Sequence, residues 1–247
     1  MNYLNFHKKR VGILGLNENY RNSYLNNSKE YINVNFSQSP LYQVVDVEGN
    51  LIETRIIKDK KYSSSTPYEQ KIMLLRPDVV LNNGCYVALK NEVTKKKEIW
   101  LIMFYESDIV TPKVYIRYCN KVLKYEKNSY PVVITSSVSI SSNMEENKEL
   151  VLPKNYLMAY VKATDETMQT REGQRFVIDN NSYEVQTIDT ISNVENNIGI
   201  VQMNLKRVPK NQKEKIETEK NNENKDVANT SKEQEYKEVN SDGWKKW

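Results

Sequence analysis

The run of residues 99–104 constrains the fold more than any other part of the chain, because six consecutive residues there are apolar. A strand with one wet face would alternate polar and apolar residues, so both faces of this strand must be covered. We therefore predict a central strand of a small closed sheet. Residues 115–119 and 122–125 follow it, rich in aromatic and β-branched types, with the turn pair Asn120-Lys121 between them.

Further strands are predicted on both sides of this run. Residues 41–47 and 51–58 flank Glu48-Gly49-Asn50, which is typical of a β-hairpin with a glycine-containing turn. Val45 and Val47 would share one face of it, with Ile52 as their cross-strand neighbour. Near the other end of the chain, residues 201–206 alternate between apolar and polar types, which predicts a strand with one buried face.

Two glycines introduce segments of similar form. Gly84 and Gly173 each precede an apolar run, which is followed by a polar turn and a second strand with an aromatic residue. A glycine just before a strand suits a tight bend or bulge at the corner of a barrel. Two β-modules of related build would explain this similarity, and so would two hairpins that resemble each other by chance.

The predicted fold is therefore mainly β, with two small β-barrel or β-sandwich modules. We expect an N-terminal arm (1–38), a first module (39–140), a connector (141–149), a second module (150–209) and a charged tail (210–247). The mean hydropathy of −0.73 is low for one compact globule of 247 residues, so part of the chain is expected to lie outside a core. The tail almost lacks apolar residues and cannot offset an ordering entropy of roughly 1–2 kcal/mol per residue, which predicts disorder when it is free.

The same patterns assign candidate roles to single residues. Candidates for docking on a partner are the large apolar residues of the two extensions: Tyr20, Tyr24, Tyr31, Phe36, Trp244 and Trp247. Candidates for the structural core lie in the predicted strands: Trp100, Leu101, Cys119, Phe176, Val201 and Met203.

Sequence motifs that would indicate an enzyme are missing. The chain contains no GxxxxGK[ST], CxxC, HExxH or GxSxG motif, and His7 is its single histidine. The two cysteines, at positions 85 and 119, fall in predicted strands, where a free cysteine is usually a small buried hydrophobe. The acid pairs Asp46 with Glu48 and Asp165 with Glu166 are expected to be solvated. We predict no catalytic residue, no metal site, no cofactor and no enzymatic activity.

The charge pattern limits the partners. The net charge of +4 comes from interleaved lysines and acids, which does not indicate an extended nucleic-acid-binding surface. The cluster Lys90, Lys95, Lys96 and Lys97 in a predicted hairpin loop could be simply solvated, or could face DNA that passes nearby. No apolar run approaches the roughly 18 residues needed to span a bilayer. The first residues lack the apolar core of a signal peptide, so we expect a cytoplasm-like compartment.

Several tracts resemble a family of structural proteins from tailed phages of Gram-positive hosts, at the head-to-tail connector or neck. The tracts cover roughly residues 39–208: Leu74-Leu75-Arg76-Pro77-Asp78, Asn83-Gly84, Trp100-Leu101, residues 115–125, Arg175-Phe176-Val177 and Tyr183-Glu184-Val185. Tyr125 stands where tryptophan is commoner in such proteins.

The resemblance implies a β-barrel virion protein, assembled in the host cytoplasm, that forms one subunit of a homo-oligomeric ring of the head-closure or adaptor type. Its implied partners are copies of itself, a portal or adaptor protein and tail proteins, with DNA only passing through the channel and no membrane. A loop, either residues 90–97 or 62–67, would narrow that channel. Two alternatives stay open: a tail or baseplate structural protein, and an OB-like single-stranded nucleic-acid-binding protein. The second would need exposed aromatics beside basic residues, whereas Trp100 is predicted to lie in the core.

Overall fold

The computed structural model describes residues 20–58, 70–91, 95–125, 128–141, 147–151 and 155–211. These residues form mostly β-strands. The elements are α1 (Tyr20–Asn35), a 3-10 turn (Phe36–Gln38), β1 (Tyr42–Val47), β2 (Asn50–Lys58), β3 (Gln70–Leu75), β4 (Tyr86–Lys90), β5 (Lys97–Glu106), β6 (Lys113–Tyr118), β7 (Lys121–Lys124), β8 (Ser129–Thr135), β9 (Ser137–Ser141), β10 (Asn147–Val151), β11 (Tyr156–Lys162), α2 (Asp165–Met168), β12 (Arg175–Ile178), β13 (Asn181–Asp189), β14 (Val194–Glu195) and β15 (Ile198–Val208).

The first six strands form a closed barrel in the order β1-β2-β3-β6-β5-β4, which we call the first barrel. The hairpin β1–β2 turns at Glu48 and Gly49, both of which have positive φ, as a tight hairpin turn with the correct twist requires. Val45 pairs with Ile52 across this hairpin, which confirms the sequence prediction. Pairing of Val47 with Val87 closes the barrel between β1 and β4.

A seven-stranded sheet follows, in the order β12-β13-β15-β11-β8-β7 with β14 beside β15; we call it the second sheet. Its six main strands, counted along the chain, have the same spatial order as those of the first barrel. The hairpin β9–β10 is inserted between the second and third of them. The sheet curls into a barrel-like shape, since the ring of Tyr125 after β7 lies 5.1 Å from that of Phe176 on β12. The mainly β fold with two barrel-like sheets is thus confirmed.

The division between the two sheets differs from the predicted module boundary. β7 and β8 belong to the second sheet, so the chain leaves the first barrel at residues 119–120 and not at the predicted connector, 141–149. Asn120 explains the crossing. Its side-chain amide donates to the carbonyl of Ile134 and accepts from the amide of Ile134, both at 2.9 Å, as a neighbouring strand would. The pair Asn120-Lys121 thus links two sheets, whereas the sequence suggests an ordinary turn.

Strand β5 has both faces covered at residues 100–102, as its apolar run predicts, whereas Phe104 at the end of the run is exposed. Trp100 and Ile102 point into the core of the first barrel, while Leu101 packs in a separate cluster with Val133 and Ile200 of the second sheet. All six residues predicted for the core are buried: Trp100, Leu101, Cys119, Phe176, Val201 and Met203. β15 shows the predicted alternation, with Val201, Met203 and Leu205 buried.

The two glycines singled out in the sequence occupy equivalent places in the two sheets. Gly84 donates its amide to the carbonyl of Ile102, and Gly173 donates to that of Val185, each at 2.8 Å. Their φ angles are +84° and +81°. The partner strand shifts register just after each contact, between Ile102 and Phe104 and between Val185 and Thr187. A shared β-bulge therefore accounts for the sequence similarity.

Gly84 has a second role that Gly173 lacks. A Cβ atom on Gly84 would lie 1.8 Å from the carbonyl oxygen of Gly199, at the start of β15. The backbones of the two sheets therefore touch at this point, and only glycine permits such an approach. Around the contact, the hydroxyl of Tyr86 donates to the carbonyl of Pro131 at 2.7 Å, and Lys162 pairs with Glu48 at 2.5 Å. The two sheets are joined by direct packing as well as by the chain.

Alanine at these two glycines should have very different effects. Gly173→Ala adds a Cβ in open space and should cost about 1–2 kcal/mol of unfolding free energy for its left-handed conformation. Gly84→Ala has the same cost and in addition forces the two sheets apart, so it should lower the free energy of unfolding by more than about 3 kcal/mol. Urea unfolding of both variants measures the difference. Equal losses would show that the contact with Gly199 contributes nothing to stability.

Candidate interaction surfaces

Three of the four acids in the two pairs serve local structure. Asp46 accepts a hydrogen bond from the amide of Gly49 at 2.7 Å and so supports the first hairpin turn. Glu48 accepts from the amide of Tyr86 at 3.1 Å, in addition to its pairing with Lys162. Glu166 accepts from the hydroxyl of Tyr130 at 3.0 Å. Within the described ranges, no three His, Cys, Asp or Glu side chains come together as a metal-binding group would require.

Both cysteines are free thiols in hydrophobic surroundings. Cys119 is buried between the sheets, and this burial raises the pKa of its thiol to about 12. Cys85 is half-buried, and burial is again the main cause of its raised pKa. The thiolate is the reactive form of cysteine, so neither residue has the environment of a nucleophile at neutral pH.

Thiol labelling tests this at the more buried site. A Cys85→Ser chain should leave Cys119 unreactive toward Ellman's reagent at pH 8 while folded, with one thiol reacting in denaturant. Burial raises the pKa of the Cys119 thiol from 9.0 in the unfolded chain to about 12 in the folded one. The contribution of this thiol to stability is therefore full below pH 9 and is lost as the pH rises toward 12. Rapid labelling of the folded Cys85→Ser chain would contradict the burial.

The lysine candidates do lie together. Lys90 and Lys97 face each other across the ends of β4 and β5, and Lys95 and Lys96 continue the loop. All four side chains are exposed, and Lys97 lies 3.5 Å from Asp46. We call these four residues the lysine loop; it gives one end of the first barrel a local positive charge. The other channel-loop candidate, residues 62–67, lies outside the described residues.

The N-terminal arm contains a helix that the sequence did not predict. Helix α1 has five asparagines and no basic residue in its last turn, so its own helix propensity is poor. Its C-terminal end is held by the first barrel instead. Arg55 donates to the carbonyls of Asn35 and Phe36 at 2.6 and 2.9 Å, and Arg76 donates to that of Asn33 at 2.7 Å. These cations satisfy carbonyls that a helix end leaves unpaired.

Phe36 completes this anchor and is not a free docking residue, which corrects its predicted role. Its side chain is buried, with the guanidinium carbons of Arg55 and Arg76 each 4.7 Å from the ring centroid. Glu53 orients Arg76 through an ion pair, and hydrogen bonds from Arg76 and then Tyr42 lower the pKa of its carboxyl group. We call Phe36, Arg55 and Arg76 the arginine clamp.

Two of the predicted docking tyrosines are well exposed on α1. Tyr24 and Tyr31 are 68% and 72% exposed, and Val34 beside them is 65% exposed. Their spacing of seven and three residues places them on one face of the helix. Tyr20 begins α1, while Trp244 and Trp247 lie outside the described residues. The structure thus presents an apolar helical face, held at one end by the clamp.

One further surface was not predicted. A groove of about 570 Å³ lies where the first barrel meets the second sheet; we call it the junction groove. Its lining comes from the β3–β4 loop, β5 and the segment between β13 and β15: Val80, Leu81, Asn82, Asn83, Phe104, Tyr105, Ser192, Asn193, Val194, Glu195, Asn196 and Ile198. No single stretch of sequence indicates it, because three separate segments meet there.

Comparison with known proteins gives a match to a family model. Residues 90–206, a little under half of the chain, match the family model described as the YomX C-terminal domain. The match includes β5, β6 and almost all of the second sheet, and it supports a phage-type protein. No significant match to a curated protein or to a solved structure was found. Among the described residues, no helix is both long and apolar enough to cross a bilayer.

Removal of the clamped ring should release α1. Phe36→Ala deletes a buried aromatic and should cost about 3 kcal/mol of unfolding free energy, together with helical signal in circular dichroism. Tyr31→Ala removes an exposed aromatic from the same arm and should change stability by less than about 0.5 kcal/mol. If Phe36→Ala kept both its helical signal and its stability, the clamp would not be what holds the helix.

Proposed function

We propose that this chain is a virion structural protein of the phage head-to-tail connection, working as one subunit of a homo-oligomeric ring between the portal side and the tail. Its partners would be further copies of itself, a portal or adaptor protein and tail proteins. It would act by binding alone, with neither catalysis nor a cofactor. The match to a phage-type domain supports the general class, and the surfaces described above support the position.

The fixed packing of the first barrel against the second sheet is the observation that supports this proposal most strongly. A subunit that closes a ring must make the same head-to-tail contact with every neighbour, so its contact surfaces need a fixed relative orientation. Here the two sheets are joined by the close approach of Gly84 to Gly199, by the Leu101 cluster and by the Lys162–Glu48 ion pair. A frame of this kind can hold two separate surfaces at a constant angle.

Helix α1 supplies a surface suited to a neighbour. Its apolar face of Tyr24, Tyr31 and Val34 is exposed, while the arginine clamp fixes where the helix leaves the barrel. Tyrosine contributes a large apolar area and a hydrogen-bonding group at little entropic cost, which favours it at interfaces. In the proposed ring, this face packs on the adjacent subunit.

The lysine loop fits a surface that faces the DNA channel. Four exposed lysines at one end of a barrel attract phosphates without base recognition, and such contact weakens as salt rises. DNA of any sequence passes through the proposed channel, so a contact that depends on phosphates alone is suited to it. By contrast, Trp100 is fully buried and unavailable for stacking on bases, which disfavours the single-stranded-binding alternative.

Deletion of the gene from a phage that carries it tests the proposed position at the head-to-tail connection. We expect DNA-filled heads separated from complete tails, rescued by the unaltered gene. A gene with Tyr24→Ala and Tyr31→Ala should fail to rescue, although the purified protein stays folded because both side chains are exposed. A gene with Val122→Ala, which shortens an exposed apolar side chain on β7 and leaves α1 and the arginine clamp unchanged, should rescue and serves as the control. Joined heads and tails that lack only a baseplate would overturn the neck position in favour of a baseplate role.

A further inference from the structure

The junction groove has the composition of a binding site for an apolar group. Phe104 is 55% exposed on its wall, and Val80 and Ile198 are also exposed beside it. Exposed apolar side chains are ordinary when scattered, but several around one concave surface indicate an interaction site. The Gly84–Gly199 contact brings the two walls of the groove together, so the groove is a fixed feature of the junction.

The charge of the groove points to a cationic occupant. Glu195 is the one charged residue among those that line it, and this exposed carboxylate pairs with no cation within the described part of the chain. An occupant with an aromatic ring next to positive charge would suit both the apolar wall and this carboxylate.

The C-terminal tip, Trp244-Lys245-Lys246-Trp247, has this chemistry. Each indole is a large apolar group, which suits the exposed wall formed by Phe104, Val80 and Ile198. The two lysines between the indoles suit Glu195. The rest of the segment after Asn211 alternates lysines and acids and contains no other tryptophan.

The length of the tail also fits. The groove lies at the Ile198 end of β15, and the chain leaves the other end of that 11-residue strand, about 30 Å away. The segment from 212 to 247 has 36 residues, and an unstructured chain of that length has an r.m.s. end-to-end distance of about 30–36 Å. Intramolecular binding is favoured most when these two lengths agree.

We propose that the tip Trp244–Trp247 docks into the junction groove of its own chain. One indole lies against Phe104, and the lysines face Glu195. The docked tail covers the apolar wall of the free subunit. This proposal stands apart from the neck position, because it concerns the isolated monomer.

Fluorine NMR of the full chain labelled with 5-fluorotryptophan tests the docking. Trp100 is buried and gives an internal reference for the fold, while Trp244→Phe and Trp247→Phe assign the other two signals. We expect at least one tip signal to be displaced from the position of a solvent-exposed tryptophan. Phe104→Lys should return it there without moving Trp100. Ile109→Lys, at a residue 51% exposed and away from the groove, should leave all three signals in place.

A charge exchange provides a second test that does not touch the apolar wall. Glu195→Lys should reduce the docked fraction relative to the undocked one by up to about fivefold, as expected for an exposed ion pair. Lys245→Glu combined with Lys246→Glu should restore docking in the Glu195→Lys chain. Tip signals at the solvent-exposed position in the unaltered chain would overturn the proposal. So would a displacement that disappears on dilution, because a second copy would then be the occupant.

Discussion

The close approach of Gly84 to Gly199 fixes how the two sheets of this protein sit against each other. A Cβ on Gly84 would collide with the carbonyl oxygen of Gly199, so the contact exists only because the backbone there carries no side chain. Once the backbones touch, Leu101 of β5 reaches Val133 and Ile200, and the outer face of β5 is buried. The same approach brings the β3–β4 loop opposite the segment before β15, which forms the walls of the junction groove.

The two sheets share their strand order and their glycine bulge but differ where they meet other parts of the chain. In the first barrel, β1 pairs with β4 and closes the ring of strands. In the second sheet, the ring of Tyr125 and the ion pair of Lys121 with Asp179 bring the corresponding edges together. The arginine clamp belongs to the first barrel alone, since Arg55 and Arg76 come from β2 and the end of β3. A shared framework thus carries different attachments in its two halves.

Sequence patterns were sufficient wherever a feature depended on neighbouring residues. The six-residue apolar run of β5, the alternation of β15 and the hairpin at Glu48-Gly49 follow from side-chain period and turn chemistry. The patterns failed where distant groups decided the outcome. Helix α1 is poor in helix-forming residues and is held by Arg55 and Arg76, whose guanidinium groups lie far along the chain. The boundary between the two sheets depends on the side-chain amide of Asn120, which makes with the backbone of Ile134 the two hydrogen bonds that a neighbouring strand would make.

The sequence by itself determined that the chain is mainly β and that β5 has a covered central part, and it marked Gly84 and Gly173 as candidates for a bend or bulge before a strand. Each of these depends on backbone period or on the conformational freedom of one residue, which are local properties. Only the tertiary structure decided which strands join which sheet, that Phe36 is buried and that a groove opens beside Asn83. These features arise from contacts between segments that are distant in sequence, and the packing of the whole fold determines which segments meet.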